Sequence, residues 1–208
     1  MDPLHKLEKI FAEFPGIGPR QAKRFVYFLL TRTPSYISDL TRSITTLKED
    51  ARVCTSCFRF FQLKNEKSTE TRLCSICSEE SRDQKTLMIV SRDIDLENIE
   101  KSHVFNGTYF VLGGSVPILE KEPETKVRSR ELEKRIATSV KKGLMEVILA
   151  LNATPEGENT TDYIREFLKP FADKKIIRIS TLGKGLSTGT ELEYSDSETI
   201  KNAFKHRE

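Results

Sequence analysis

The sequence predicts a multidomain protein of mixed α+β and α/β class, in which helices and a small cysteine-rich module precede a mainly parallel sheet. Three observations lead to this prediction. Apolar residues recur at helical spacing on both sides of Gly16-Ile17-Gly18, and four cysteines form two Cys-x-x-Cys pairs. After residue 82, short runs of β-branched and aliphatic residues alternate with amphipathic stretches, which is typical of a parallel sheet covered by helices.

The N-terminal segment reads as two helices joined by a short turn. Apolar residues at positions 4, 7, 10, 11 and 14 lie on one helical face. A second helix is predicted from Pro19 to Thr31, because proline is favourable at a first helical position. Between Glu13 and Asp39 the chain has no acidic residue, and its charges there are Arg20, Lys23, Arg24 and Arg32.

This arrangement resembles the helix-hairpin-helix motif that binds DNA. The backbone of Gly16, Ile17 and Gly18 is predicted to approach phosphate and donate hydrogen bonds at the start of a helix. Arg20, Lys23 and Arg24 would add positive charge, which gives affinity for the nucleic-acid backbone without reading sequence. A plain turn between two packing helices, or a hairpin used for protein packing, is the alternative.

The cysteines predict a metal site. Cys54/Cys57 and Cys74/Cys77 are separated by sixteen residues, which is the spacing of a tetrahedral zinc site closed by two knuckles. With four thiolates and no open position, one Zn²⁺ would be structural. A redox pair or disulfide is the alternative, and it is disfavoured in a reducing compartment. The polar stretch 63–72 between the knuckles is expected to be an exposed hairpin tip.

The rest of the chain predicts alternating strands and helices. The predicted strands are Thr86–Val90, Thr108–Leu112, Glu146–Leu151 and Ile176–Ile179. The predicted helices are Leu96–Ser102, Arg128–Lys142, Thr161–Phe171 and a last one that reaches about His206. Function in such sheets is found at the carboxyl ends of the strands, which here precede residues 91–95, 113–115 and 152–158.

Composition narrows the class of protein further. The chain has 208 residues and a formal net charge of +3. Its longest apolar runs, Phe25–Leu30 and Val147–Leu151, are too short to cross a bilayer. The N-terminus has no hydrophobic export region. A cytoplasmic protein without a membrane partner is therefore expected.

The order of these modules is similar to that of the RecR family of recombination mediators. The most specific motifs are the segments 14–20, 109–114, 146–158 and 189–196 together with the four cysteines. The resemblance implies a helix-hairpin-helix domain over 1–52, a zinc finger over 53–79, a Toprim domain over 80–172 and a C-terminal segment over 173–208 that packs across subunits. It also implies DNA binding, assembly into dimers or tetrameric rings, and action with RecO and RecF to load RecA on single-stranded DNA.

The Toprim resemblance raises the question of catalysis. Toprim enzymes hold Mg²⁺ with a glutamate on one strand end and an Asp-x-Asp pair on another, but Ser91 stands where the glutamate belongs. The segment 115–124 also departs from the family pattern. The remaining acids are expected to receive a basic surface of a partner, and these are Asp93, Asp95, Glu156 and Glu158. No catalytic residue is predicted; a Mg²⁺-dependent nuclease or nicking enzyme, and a protein-interaction hub without DNA contact, are the alternatives.

Overall fold

The computed structural model describes residues 2–62, 72–183, 185–186, 189 and 191–205. The exposed hairpin tip expected at 63–72 therefore lies outside the described residues except for Arg72. The helices are α1 (Pro3–Ala12), α2 (Pro19–Leu30), α3 (Pro34–Asp50), α4 (Ser75–Ser78), α5 (Asp93–Ser102), α6 (Ser129–Lys141), α7 (Pro155–Asp173) and α8 (Ser197–Lys205). The strands are β1 (Ala51–Val53), β2 (Phe60–Gln62), β3 (Thr86–Val90), β4 (Thr108–Val111), β5 (Glu146–Ala150) and β6 (Arg178–Thr181).

The chain divides into two compact units, Met1–Ala51 and Arg52–Glu208. The first unit is helical, and in it α1 and α2 pack against each other. Its third helix, α3, was not predicted, although Thr33 caps it by accepting a hydrogen bond from the Tyr36 N–H at 3.3 Å. Proline follows that cap at the first helical position, where its missing N–H has no cost.

The second unit contains a four-stranded parallel sheet with the order β4-β3-β5-β6. The chain runs from β3 to β4 on one side and then crosses to β5 on the other side of β3. The order therefore reverses between β3 and β5, and their carboxyl ends form the crevice where ligands bind in open α/β sheets. The mixed α/β class with a mainly parallel sheet is confirmed.

The two faces of the sheet bury different partners. Leu87 and Ile89 of β3 point to a core that includes Leu132 and Ile136 of α6 and residues of α7. Met88 and Val90 point to the opposite face of the sheet, where they pack with Leu96 of α5 and with the cysteine module. Because both faces are covered, these strands are apolar throughout.

Helix α7 begins six residues earlier than predicted, at Pro155. Thr154 is its N-cap, and the Thr154 Oγ1 accepts a hydrogen bond from the Gly157 N–H at 3.2 Å. Glycine is required at 157 because a Cβ there would lie 1.9 Å from the Asn152 carbonyl oxygen. Glu156 and Glu158 consequently lie in the first turn of a helix and not in a loop.

Candidate nucleic-acid interface and metal centre

The turn between α1 and α2 contains two glycines and leads directly into the start of a helix. Phe11 of α1 packs edge-on against Phe25 of α2, with ring centroids 5.8 Å apart, and this contact holds the two helices together. Gly16 adopts a left-handed conformation with φ of +77°, which favours glycine. Gly18 is extended and is the N-cap of α2, and Pro19 occupies the first helical position.

The backbone donors of this hairpin differ from the predicted set at one residue. The Ile17 N–H donates to the Phe14 carbonyl oxygen at 3.0 Å, so it is already engaged within the turn. The N–H groups of Gly16, Gly18 and Arg20 form no hydrogen bond with any part of the chain that the structure describes. The hairpin therefore offers three donors, two from glycines and one from the first turn of α2.

The predicted basic side chains lie on an outward surface of α2. Arg20, Lys23 and Arg24 are exposed, and together with Tyr27, Phe28 and Thr31 they line a shallow groove. Arg24 donates a hydrogen bond to the Gln21 side chain at 3.3 Å. Arg20 and Lys23 form no ion pair with the residues described.

Two aromatic residues in this groove were not predicted as site residues. Tyr27 is 51% exposed and Phe28 is 44% exposed, and the Arg32 guanidinium lies 3.8 Å from the centroid of the Phe28 ring. Tyr27 follows Lys23 by four residues, and Phe28 follows Arg24 by four, so helical spacing could have revealed them. Aromatic rings interleaved with cations are typical of surfaces that bind single-stranded nucleic acid.

The four cysteines come together as a metal site in the second unit. Their sulfur atoms all lie within 4.8 Å of one another, and three of the four residues are buried. Cys57 Sγ and Cys74 Sγ are 3.6 Å apart. This separation is far longer than a disulfide bond of about 2.05 Å. It matches the edge of about 3.8 Å expected for a tetrahedron with metal–sulfur bonds of about 2.3 Å.

Backbone hydrogen bonds shape the two knuckles around the site. The Phe58 N–H donates to the Cys54 carbonyl oxygen at 2.9 Å, and Phe58 adopts a φ of 63°. The Cys74 N–H donates to Cys54 Sγ at 3.4 Å. Hydrogen bonds from Cys57 and the other two cysteines lower the pKa of Cys54, whereas hydrogen bonds from the other cysteines and burial raise the pKa of Cys57. The residues present fit a closed site of four thiolates.

The cysteine module is attached to the parallel sheet by several backbone contacts. The Val111 N–H at the end of β4 donates to the Cys57 carbonyl oxygen at 2.8 Å. Arg128 donates through Nη1 to the carbonyl oxygens of Val111 at 2.9 Å and Phe58 at 3.2 Å. The Phe60 N–H donates to Asp93 Oδ1 at 2.7 Å. The metal site therefore belongs to the same packed body as the sheet.

The predicted acidic residues lie in the helices that follow β3 and β5, where Asp93 and Asp95 form hydrogen bonds within the fold and Glu158 lines a cavity beside the end of β6. Asp93 accepts the hydrogen bond from Phe60, and Asp95 Oδ2 accepts one from the Arg92 N–H at 2.9 Å. Glu156 and Glu158 are exposed on the first turn of α7. In the described part of the chain, no three carboxylates approach closely enough to share an ion.

Ser91 occupies the position at the end of β3 where Toprim enzymes have a glutamate. It is fully buried, and its hydroxyl has no hydrogen-bond partner among the described groups. Its carbonyl oxygen accepts from the Gly113 N–H at 3.0 Å. This position therefore contributes no charge to the crevice.

Comparison with known proteins agrees with this arrangement. The Toprim domain family matches residues 85–180, and the family described as RecR, C-terminal, matches residues 185–208. No helix in the described residues is long and apolar enough to cross a membrane. The sheet, its crevice and the attached thiolate site thus define a Toprim-domain protein with a four-cysteine metal module.

The family follows from the full-length relatives. The chain is 31% identical over 206 residues to the recombination protein RecR of Lacticaseibacillus casei, covering 99% of this chain and 96% of the relative. It is 34% identical over 205 residues to the RecR of Prochlorococcus marinus subsp. pastoris, covering 99% and 95%. It is 32% identical over 206 residues to the RecR of Myxococcus xanthus, covering 99% of this chain and 97% of the relative. The chain belongs to the RecR family.

Proposed function

We propose that the chain is a non-catalytic recombination mediator that binds DNA through the hairpin between α1 and α2. The observation that carries this proposal is the juxtaposition of unengaged backbone N–H groups with exposed cations at the start of α2. Gly16 and Gly18 supply backbone donors to phosphate, and Ile17 supports the turn through its bond to Phe14. Arg20, Lys23 and Arg24 supply countercharge.

The metal in the proposed assignment is one structural Zn²⁺ held by Cys54, Cys57, Cys74 and Cys77. Thiolates are preferred ligands of zinc, and the sulfur separations fit its tetrahedral geometry. Four protein ligands leave no open position for substrate or water. The ion would stabilise the module, while residues of the chain itself would bind DNA. The division into domains over 1–52, 53–79, 80–172 and 173–208 stays a prediction.

The proposed partners are those of the family, RecO and RecF, with the outcome that RecA is loaded on single-stranded DNA in the cytoplasm. A basic surface of such a partner would meet the predicted acidic residues. Asp93 and Asp95 accept backbone hydrogen bonds within the fold, and Glu156, which is exposed on the first turn of α7, is the acid we favour for this contact. Self-association into a dimer or tetramer is supported by exposed apolar side chains on α3, where Ile44 is 61% exposed.

The charge reversal Lys23→Glu with Arg24→Glu tests the DNA assignment. DNA affinity at fixed low salt should fall at least about tenfold, and its salt dependence should become shallower, because two cations no longer neutralise phosphates. The matched control is Lys6→Glu with Lys9→Glu on α1, which makes the same charge change on exposed residues of the same unit. Metal content should be unchanged in both variants. Unaltered DNA affinity in the α2 variant would make the hairpin a packing element, as in a pure protein-interaction hub.

A Mg²⁺-dependent Toprim nuclease is disfavoured by the buried serine at 91 and by the structural bonds of Asp93 and Asp95. Its test is the nicking of supercoiled plasmid in Mg²⁺. We expect no activity above that of a mock preparation. Nicking that disappears in Glu156→Ala would establish that the chain is an enzyme and would refute the proposal of a non-catalytic mediator.

A further inference from the structure

A concave groove of about 480 Å³ lies between the cysteine module and α6, and its lining includes the metal ligand Cys77 but none of the residues assigned above to DNA or partner binding. One wall is formed by the first knuckle, with the hydroxyl groups of Thr55 and Ser56. The opposite wall is formed by one stripe of α6. Both walls belong to the second compact unit.

The α6 wall of the groove is basic. Lys134, Arg135 and Lys142 line it, together with Thr138 and a single acid, Glu131. Lys134 and Lys142 are exposed, and none of the three cations forms an ion pair with the residues that the structure describes. Arg135 Nε is buried and has no hydrogen-bond partner there. Because that atom is buried, the charge that this wall presents to a ligand is chiefly that of the exposed Lys134 and Lys142.

A structural role for these cations explains only part of the pattern. Lys142 follows the last turn of α6, where positive charge interacts favourably with the helix dipole. Lys134 and Arg135 lie in the middle of the helix, where that interaction is weak. Thr138 and Thr55 already donate their hydroxyl groups to the carbonyl oxygens of Lys134 and Arg72, so the unpaired cations are the feature of the groove that points to an anionic ligand.

We propose that this groove binds the sugar-phosphate backbone of single-stranded DNA as a second contact, separate from the hairpin. Arginine, lysine, serine and threonine side chains are the groups that contact phosphate and sugar. The Phe58 ring also lines the groove and offers an apolar surface to a sugar or a base. Glu131 repels phosphate as it would repel an acidic peptide, but it can accept a hydrogen bond from the amino group of a base. The proposal rests on the proposed function in that both require DNA as a ligand.

The experiment compares two double charge reversals on α6 in the full chain. The groove variant is Lys134→Glu with Lys142→Glu, and the matched control is Arg130→Glu with Lys141→Glu, which changes exposed cations of the same helix outside the groove. Binding of a labelled oligothymidine is measured by fluorescence anisotropy over a range of salt concentrations. The groove variant should bind at least about tenfold more weakly, and its salt slope should fall by about 1.4, or about 0.7 for each phosphate that is no longer neutralised. The control should stay within about twofold of the parent chain.

A second measurement avoids any effect of substitution on folding. Lysine acetylation of the parent chain, read by mass spectrometry, should be slowed at Lys134 and Lys142 by oligothymidine, but not at Lys141. This protection should persist in the Lys23→Glu, Arg24→Glu variant at saturating DNA, so failure of the hairpin assignment and failure of the groove are distinguishable. Equal affinities of the groove variant and its control, or equal acetylation of the three lysines, would overturn the proposal. So would a groove variant that retains DNA affinity but loses binding to a polyglutamate peptide.

Discussion

The Asp93 carboxylate accepts a 2.7 Å hydrogen bond from the Phe60 backbone N–H. This bond joins the start of α5 to β2 of the cysteine module, two segments separated by 33 positions in the chain. An acid that follows the first strand of a Toprim sheet thus serves here as a link to the metal module. The same module is held on its other side by the bond between Val111 and Cys57.

Replacing Asp93 should weaken the attachment of the cysteine module. Asp93→Ala removes the acceptor of the Phe60 N–H, and because water can replace it at this exposed bond, the loss should be about 0.5 to 1.5 kcal/mol of unfolding free energy. Metal release to a chromogenic chelator should become faster, while the metal content of the protein before the chelator is added should stay the same. Asp93→Asn keeps an acceptor and should recover part of the stability. Glu133→Ala, at an exposed acid of α6, is the control and should behave like the parent chain.

Removal of the metal should destabilise the sheet as well as the module. Three of the cysteines form one buried cluster with Met88 and Val90 of β3 and with Tyr109 and Val111 of β4, so the module covers one face of the sheet. Since metal binding contributes folding free energy, chelation should lower the melting temperature and increase amide exchange in β3 and β4. Exchange should be unchanged in α1 and α2, which belong to the other unit. An increase confined to 52–79 would show that the sheet face is stable without its cover.

The sequence predicted features that depend on local spacing. The cysteine pairs come together because their spacing suits two knuckles, and β3 occupies the predicted range Thr86–Val90. The start of α7 was misplaced because the segment 152–158 reads as a polar loop. In the structure, Thr154 is the N-cap of the helix and Pro155 is its first residue. The start was missed because threonine followed by proline also occurs in turns.

Features that depend on tertiary contacts could not be predicted. Nothing in the sequence near Ile17 indicates that its N–H bonds to Phe14, since that bond follows from the path of the folded turn. The role of Asp93 depends on a partner in another module. The groove beside α6 likewise requires the docking of the knuckle, because its walls come from residues far apart in the chain.

The aromatic residues on α2 should contribute to DNA affinity without changing its salt dependence. Tyr27→Ala with Phe28→Ala removes rings that line the groove beside Lys23 and Arg24. If bases stack on these rings, affinity for single-stranded DNA should fall by about 1 to 3 kcal/mol for each stacked base, with the salt slope preserved. Anisotropy titrations at several salt concentrations measure both quantities. Leu30→Ala, an exposed apolar change on the same helix outside the groove, should leave them unaltered, and an equal decrease there would indicate a general effect on the unit.

Acid should weaken the contact between Arg82 and Glu100, which ties the residues after the second knuckle to α5. The Arg82 guanidinium donates to the two Glu100 carboxylate oxygens at 2.9 and 2.6 Å. Burial raises the pKa of Glu100, but the hydrogen bond from Arg82 outweighs it, so the pKa is below its usual value. A lowered folded-state pKa contributes stability that is present above the unfolded value of about 4.3.

This contribution disappears as the pH falls from about 4.3 through the folded-state value. Glu100→Gln cannot ionise, so it should be less stable than the parent chain at pH 7, and the difference should shrink on acidification below about pH 4.3. Urea unfolding of both proteins at several pH values measures the difference in their unfolding free energies. The other carboxylates titrate in both proteins, so their contributions cancel in this difference. Glu97→Gln, at an exposed acid of the same helix with a longer 3.9 Å pairing to Arg59, is the control and should show little pH-dependent difference. A constant offset between the parent and Glu100→Gln across this range would mean that Arg82 does not stabilise the ionised form of Glu100.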